Sequence, residues 1–260
     1  MKLDGPQALP KVTILTPTKD RPGFLAQCAK YVAEQTYPAH LLEWVIVNSG
    51  KPFDYTDPIN MSLAVECGSL EIPLRGVSLG MLRNRGVQEA KGDIIVHFDD
   101  DDWHAPDRVE RQVLPFLVRP QLELVATDNY YVGLFDHDPV LACKSVTWGL
   151  DRFASGGTFA YRKRAWRHHP FANIPSGEDY LFARRIREAR GLVTNLHDPD
   201  LFICVRHGQN TAQADGTLEA TSKPEWAEHV KSMMGSANFL VTQSLARTEA
   251  LPPPRAPSTE

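Results

Sequence analysis

Gly92–Trp103 reads GDIIVHFDDDDW, a short apolar run followed by four aspartates in succession. Ile94, Ile95, Val96 and Phe98 are β-branched or aromatic, the composition of a buried strand. At its end, Asp99–Asp102 crowd four like charges together, which costs stability unless a cation sits among them. Hard divalent cations such as Mn²⁺ and Mg²⁺ take oxygen ligands, and Mg²⁺ is usually held by one or two carboxylates together with substrate phosphates. In an extended segment, residues i and i+2 face the same way. Asp99 and Asp101 are then the expected ligands of one ion, while Asp100 faces elsewhere. The alternative is a solvated acidic turn that caps the next helix, since Asp is a good N-cap. Four acids directly after an apolar strand make a poor turn and a good metal site.

Just upstream, Leu79–Ala90 has helical spacing, with Leu82, Val87 and Ala90 as its buried face. Arg83, Asn84 and Arg85 lie in its first half, where positive charge opposes the helix dipole. Near a phosphate or an acidic cluster they make sense; the alternative is an ordinary basic surface. Downstream, Ala105-Pro106-Asp107 opens a helix running to Leu117, and Leu122–Thr127 is an apolar strand.

Near the start of the chain, Val12–Leu15 is a strand, TPTKDRPG a loop and Phe24–Glu34 a helix. A strand–loop–helix opening suits a doubly wound sheet, whose ligands bind beyond the carboxyl ends of its strands. Thr16, Thr18, Asp20 and Arg21 are thus placed to touch a ligand, with loop polarity and helix capping as the alternative. Trp44–Val47 is a second strand ending in Asn48-Ser49-Gly50, and Leu63–Cys67 a minor third.

In the second half, Tyr130–Trp148 reads as strands and turns. The paired glycines of Ser155-Gly156-Gly157-Thr158 allow close backbone approach to a ligand, or a tight turn. Phe159–Tyr161 is a short strand, and Arg162–His168 begins a basic helix. Gly177-Glu178-Asp179-Tyr180 caps a helix running to Arg190; a carboxylate pair at a helix start is also favoured by the dipole alone. Leu192–Leu196 and Leu201–Arg206 read as strands, followed by His207; a lone histidine is more often structural than a ligand. Glu225–Leu245 is an amphipathic stretch that packs on the domain or on a partner, and ALPPPRAPSTE is a Pro-rich disordered tail.

The chain has 260 residues, 42% apolar and 23% charged, ordinary for a soluble globular protein with a sizeable α/β core. A net charge of −4 argues against a broad nucleic-acid surface. Four cysteines, Cys28, Cys67, Cys143 and Cys204, form no CxxC pair and read as free thiols in a reducing compartment. MKLDGPQALPK lacks the apolar core of a signal peptide. No run of about 18 apolar residues is present, so no membrane span is expected. The expected location is cytoplasmic, with peripheral membrane contact and a homodimer left open.

The ordered series TPTKDRPGFLAQCA, VIVNSG, SLGMLRNRGVQEAKGDIIVHFDDDDW, SGGTFAYRKRAW, GEDYLFARRI and VRHGQNT resembles the family 2 glycosyltransferases over roughly residues 11–211. The resemblance implies the GT-A fold, an α/β architecture with a mostly parallel Rossmann-like sheet flanked by helices. It implies an N-terminal extension (1–10) and a catalytic domain (11–220) with a nucleotide-binding half (11–128) and an acceptor-binding half (129–220). A C-terminal helix (221–248) and a tail (249–260) complete the expected layout. By the same resemblance, Asp99 and Asp101 form a DxD motif holding Mn²⁺ or Mg²⁺ on the diphosphate of a UDP-, GDP- or dTDP-sugar. Asp179 is the general base toward an acceptor hydroxyl, with Glu178 orienting it or the acceptor. Thr16, Pro17, Thr18, Asp20, Arg21, Arg83 and Asn84 line the nucleotide pocket, joined by Asp100 and Gly157, and His207 closes the metal site. Where many members carry two aspartates after the second strand, this chain has Asn48-Ser49, and Asn48 can still offer an acceptor oxygen to the base.

These residue types suit the chemistry. A cation held by two carboxylates stabilises the charge growing on a departing diphosphate, Arg83 or Arg85 adds a second positive contact, and a positioned carboxylate deprotonates a weak hydroxyl nucleophile. One base and direct displacement give inversion, the outcome expected of a hexosyl- or related transferase in glycan, cell-surface polysaccharide or glycoconjugate synthesis. Trp103 packs on a sugar face or in the core. A sugar nucleotidyltransferase would want a glycine- and basic-rich phosphate loop, which TPTKDRPG is not. A non-catalytic nucleotide-sugar-binding module would have lost the base or the metal ligands, and both are present.

Overall fold

Alternation along the apolar runs decides which side of a sheet each residue faces. The computed structural model describes residues 8–52, 69–134, 141–144, 155–174, 176–207 and 222–235. In β1 (Val12–Thr18), β2 (Leu42–Asn48) and β4 (Ile94–His97) nearly every residue is buried. Val12, Ile14, Trp44, Ile46, Ile94 and Val96 enter one core, and Leu15, Val45, Val47 and Ile95 the other. Burial on both faces is why these strands read as near-continuous apolar runs, as in parallel sheets sandwiched between helices. α1 (Pro22–Ala33) and α3 (Arg108–Val118) cover the first face. α2 (Leu79–Glu89), α4 (Lys163–His168) and α5 (Glu178–Glu188) cover the second.

With β3 (Ser69–Pro73), β6 (Leu122–Thr127), β9 (Ala160–Arg162) and β10 (Leu192–Leu196), the main sheet has the order β10-β6-β9-β4-β1-β2-β3. All pairs are parallel except those of β9, which runs antiparallel to β4 and β6. The chain lays down β1, β2 and β3 in one direction and then returns to set β4 on the other side of β1. Strand order therefore reverses between β4 and β1, and ligands of open α/β sheets bind beyond the carboxyl ends at such a reversal.

A second sheet, β5-β11-β7-β8, is built from β5 (Trp103–His104), β11 (Phe202–Arg206), β7 (Tyr131–Leu134) and β8 (Leu141–Lys144). α6 (Pro224–Met234) buries Ala227, Val230 and Met234 in the same core as Tyr131, Ile203 and Val205. The expected mixed α/β architecture is thus present, and the C-terminal helix packs on the domain itself. No helix among the described residues is long and apolar enough to cross a membrane.

Several local expectations change. β1 continues through Thr16-Pro17-Thr18, because Pro17 and Thr18 stay in register with Val47 and Asn48. β4 stops at His97, and Asp100-Asp101 form a turn in which the Asp102 N–H approaches the Asp99 carbonyl at 3.4 Å. The extended arrangement of Asp99 and Asp101 is therefore absent. Nor is the turn solvated: Asp100, Asp101 and Asp102 are 1%, 9% and 6% exposed. Trp103 is 7% exposed and belongs to the core. Cys28 and Cys204 are free and buried. The expected strand Leu63–Cys67, the stretch 236–245 and the Pro-rich tail lie outside the described residues.

Candidate active site

β1 and β4 run in parallel register with Leu15 opposite His97, so their carboxyl ends emerge side by side. Thr18, at the end of β1, donates to Asp100 Oδ2 at 2.6 Å. Arg21, just before α1, spans two acids of the turn: Nη2 lies 2.7 Å from Asp100 Oδ1 and Nη1 2.5 Å from Asp101 Oδ2. His207, stacked on Phe24, brings Nε2 to 3.2 Å from the same Asp101 oxygen. The fourth acid is tied to the second sheet, where the Val205 N–H donates to Asp102 Oδ1 at 2.9 Å.

Burial pushes the Asp100 carboxyl up to about 7, against the pull of Arg21. It raises Asp99 despite Arg83, and raises Asp102 strongly, with Asp101 and Asp99 adding repulsion. In Asp101 burial acts the same way but is outweighed by Arg21 and His207, which hold it below the usual carboxylate range.

Opposite the turn, Arg83 rises from α2 and is 2% exposed. It pairs with Glu178 and lies 3.5 Å from Asp99 Oδ1. Burial disfavours its charge, but Asp99, Glu178 and Asp179 together outweigh that. Gly177, at φ 81°, turns the chain into α5. Asp179 follows in the first turn of that helix, where its Oδ2 accepts from the Gly156 N–H at 2.8 Å. A Cβ on Gly156 would lie 2.7 Å from the Asp179 Cβ, so only glycine permits this approach.

These groups surround one cavity of about 490 Å³. Pro17, Thr18, Arg21, Arg83, Asp99–Asp102, Gly157, Glu178 and Asp179 all contribute to its wall. Six carboxylates (Asp99, Asp100, Asp101, Asp102, Glu178, Asp179) and four cationic side chains (Lys19, Arg21, Arg83, Arg206) line it. Asp99 Oδ1 is buried without a hydrogen bond. A buried carboxylate oxygen without a hydrogen bond, in a wall rich in carboxylate oxygens, suits a hard divalent cation. Among the described residues, no three His, Cys, Asp or Glu side chains already converge as a ligand set.

Five expected site residues lie off the cavity wall: His207, which stands behind Asp101, and four others. Thr16 is fully buried and accepts from Trp44 Nε1 at 3.0 Å. Asn48 spends its amide on the Lys51 carbonyl, Glu71 and the Gly50 N–H. Asp20 accepts from the Lys51 N–H at 2.8 Å. Asn84 joins Trp166 Nε1 to both backbone groups of Phe171. Thr16, Asn48 and Asn84 satisfy polar groups that burial would otherwise leave unpaired, Asp20 is exposed, and none of the four forms part of the cavity wall.

Two residues that the sequence reading passed over lie beneath the glycine loop. His97 meets the Gly156 carbonyl at 2.9 Å, and Arg108, fully buried, donates to the Gly157 carbonyl at 2.6 Å. Burial lowers the Arg108 guanidinium to about 10. A histidine inside IIVHF was a readable signal; Arg108 sits among ordinary polar helix residues and carries none.

The sequence model described as Glycosyl transferase family 2 matches residues 13–169. The glycosyltransferase GlyA of Streptococcus pneumoniae serotype 4 is 27% identical over 121 residues, covering 46% of this chain and 17% of that protein. The chain thus spans less than a fifth of that relative's length. Among solved structures, S. aureus TarS 1-349 in complex with UDP-GlcNAc aligns with a TM-score of 0.60 at 16% identity, over 79% of this chain and 61% of that one. The mannosyltransferase PcManGT of Pyrobaculum calidifontis, in complex with GDP-Man and Mn²⁺, aligns with a TM-score of 0.58 at 16% identity, over 94% and 75%.

Proposed function

The chain belongs to glycosyl transferase family 2 and has the GT-A fold, and we propose that it transfers a sugar from a nucleotide-diphosphate sugar to an acceptor hydroxyl, with inversion and a divalent cation. The observation that carries this reading is the meeting of the acid turn after β4 with the start of α5 around a single cavity. Donor and acceptor chemistry need groups of opposite task within reach of one anomeric carbon, and these two elements supply them.

Asp99 and Asp101, with His207 against Asp101, would hold Mn²⁺ or Mg²⁺, which would supply Lewis-acid stabilisation of the departing diphosphate. Asp179 takes the acceptor proton as the hydroxyl attacks, a contribution of typically 10²–10⁴-fold. The Gly156 N–H donates to one oxygen of that carboxylate and the Tyr180 N–H to the other at 2.7 Å, and the two together hold it in place. Glu178 is paired with Arg83, which supports the reading of Asp179 as the single base and of direct displacement with inversion. Arg83 also sets Asp99. The nucleotide and acceptor subsites are proposed to lie in residues 11–128 and 129–220 respectively, and the donor is a UDP-, GDP- or dTDP-sugar.

Nucleotide release from a panel of UDP-, GDP- and dTDP-sugars, with and without Mn²⁺, tests the reading. Turnover is expected with one nucleotide, and only with metal. Asp179→Asn should keep donor binding and lose transfer by about a hundredfold or more. Wild-type turnover by that variant would remove the base, and binding of no donor would remove the reading.

A further inference from the structure

We propose that His97 is a positioning residue, which sets the loop Ser155–Thr158 and, through the Gly156 N–H, holds the carboxylate of Asp179. This rests on Asp179 being the base, as argued above.

His97 ends an otherwise apolar strand and is fully buried among Phe159, Tyr161 and Phe171. A buried imidazole costs free energy unless both nitrogens are bonded, and a leucine would fill the same space without that cost. Both nitrogens are bonded. Nδ1 lies 2.9 Å from the Gly156 carbonyl oxygen and Nε2 3.0 Å from the Tyr161 hydroxyl. A carbonyl can only accept, so Nδ1 carries the proton and Nε2 accepts from Tyr161. The ring is neutral in one tautomer, in keeping with burial, which lowers its basicity.

The loop is held at every carbonyl. Ser155 accepts from Thr158 Oγ1 at 2.7 Å, Gly156 from His97, Gly157 from Arg108 at 2.6 Å and Thr158 from Gln112 at 2.6 Å. Planar peptides clamped by their carbonyls cannot rotate their N–H groups freely. The Gly156 N–H lies in the peptide plane of the Ser155 carbonyl, which Thr158 holds, and it donates to Asp179 Oδ2. His97, with the Phe159 N–H at 3.2 Å from the same oxygen, clamps the peptide plane on the other side of the Gly156 Cα and so limits rotation about the Gly156 backbone. Its role is to keep a flexible diglycine from drifting, because a misplacement of about 1 Å at a reacting group can cost about a hundredfold in rate.

Three substitutions separate positioning from packing. His97→Asn puts an amide nitrogen where Nδ1 stands and keeps the bond to Gly156. His97→Gln carries its amide out toward Tyr161, and His97→Leu keeps neither bond. With the donor identified by the nucleotide-release screen, Leu and Gln should lower kcat about tenfold or more, with donor KM within about twofold, and Asn should recover most of it. Tyr161→Phe, which removes only the hydroxyl and preserves packing, should lower kcat a few-fold even if the His97 variants fold poorly. The inference is overturned if kcat follows melting temperature alike in Asn, Gln and Leu, or is unchanged in Tyr161→Phe. Asp179→Asn is measured alongside. An inactive Asp179→Asn with a fully active His97→Leu removes only the positioning role, whereas an active Asp179→Asn removes the base assignment and this inference with it.

Discussion

Arg83 is almost wholly buried and charged, with Glu178 paired to it and Asp99 at 3.5 Å. Removing one partner of a buried ion pair strands the other, at a cost of about 3–5 kcal/mol. Arg83→Met should therefore lower unfolding stability in urea by that order, and the Arg83→Met/Glu178→Leu double variant should restore part of it. A neutral single variant would show that the pair carries no weight. At this scale the acids were legible from sequence, since Asp99–Asp102 directly follow an apolar strand and Glu178 and Asp179 open a helical pattern. Thr16, Asn48 and Asn84 stand off the cavity wall for a physical reason. Their hydrogen-bond partners, Trp44, Glu71, Trp166 and Phe171, lie far away in sequence, and a buried amide satisfying backbone looks on paper like one awaiting a ligand.

The glycine loop and the start of α2 are the elements that shape the cavity. Gly156→Ala would drive a Cβ to within 2.7 Å of Asp179 and 3.1 Å of Arg83 Nη1. It should lower kcat by about tenfold or more, with nucleotide affinity retained; unchanged kcat would mean the loop yields freely. Ser78 caps α2, its side chain accepting from the Met81 N–H. Ser78→Ala should cost about 1 kcal/mol in chemical denaturation, and no loss would contradict the cap. Strands of four or more apolar residues could be read directly, but β5, two residues long, could not. The acid turn was misjudged as extended because its shape is imposed from outside. Thr18 and Arg21 grip Asp100, Arg21 and His207 grip Asp101, and Val205 binds Asp102.

Across the whole molecule, the main sheet supplies the cleft and the second sheet closes its far side, with α6 sealing the second sheet. Val230 is fully buried in that contact. Val230→Asp should destabilise the fold by more than about 3 kcal/mol, since a charge would be buried without a partner. A wild-type melting curve would mean that α6 detaches without consequence. The doubly wound arrangement was legible in the strand–loop–helix opening of β1 and α1. The pairing of β11 with β5 and β7 was not, because cross-strand partners so far apart in sequence leave no local pattern.

Calorimetric titration of UDP and GDP, in Mn²⁺ and in EDTA, into the wild type and Asp99→Asn, asks most directly whether the acid turn grips a nucleotide diphosphate through a cation. One nucleotide should bind at least about tenfold more tightly with Mn²⁺ than with EDTA, and Asp99→Asn should erase that difference. Equal affinity with and without Mn²⁺, or a metal effect that survives the loss of Asp99, would contradict it.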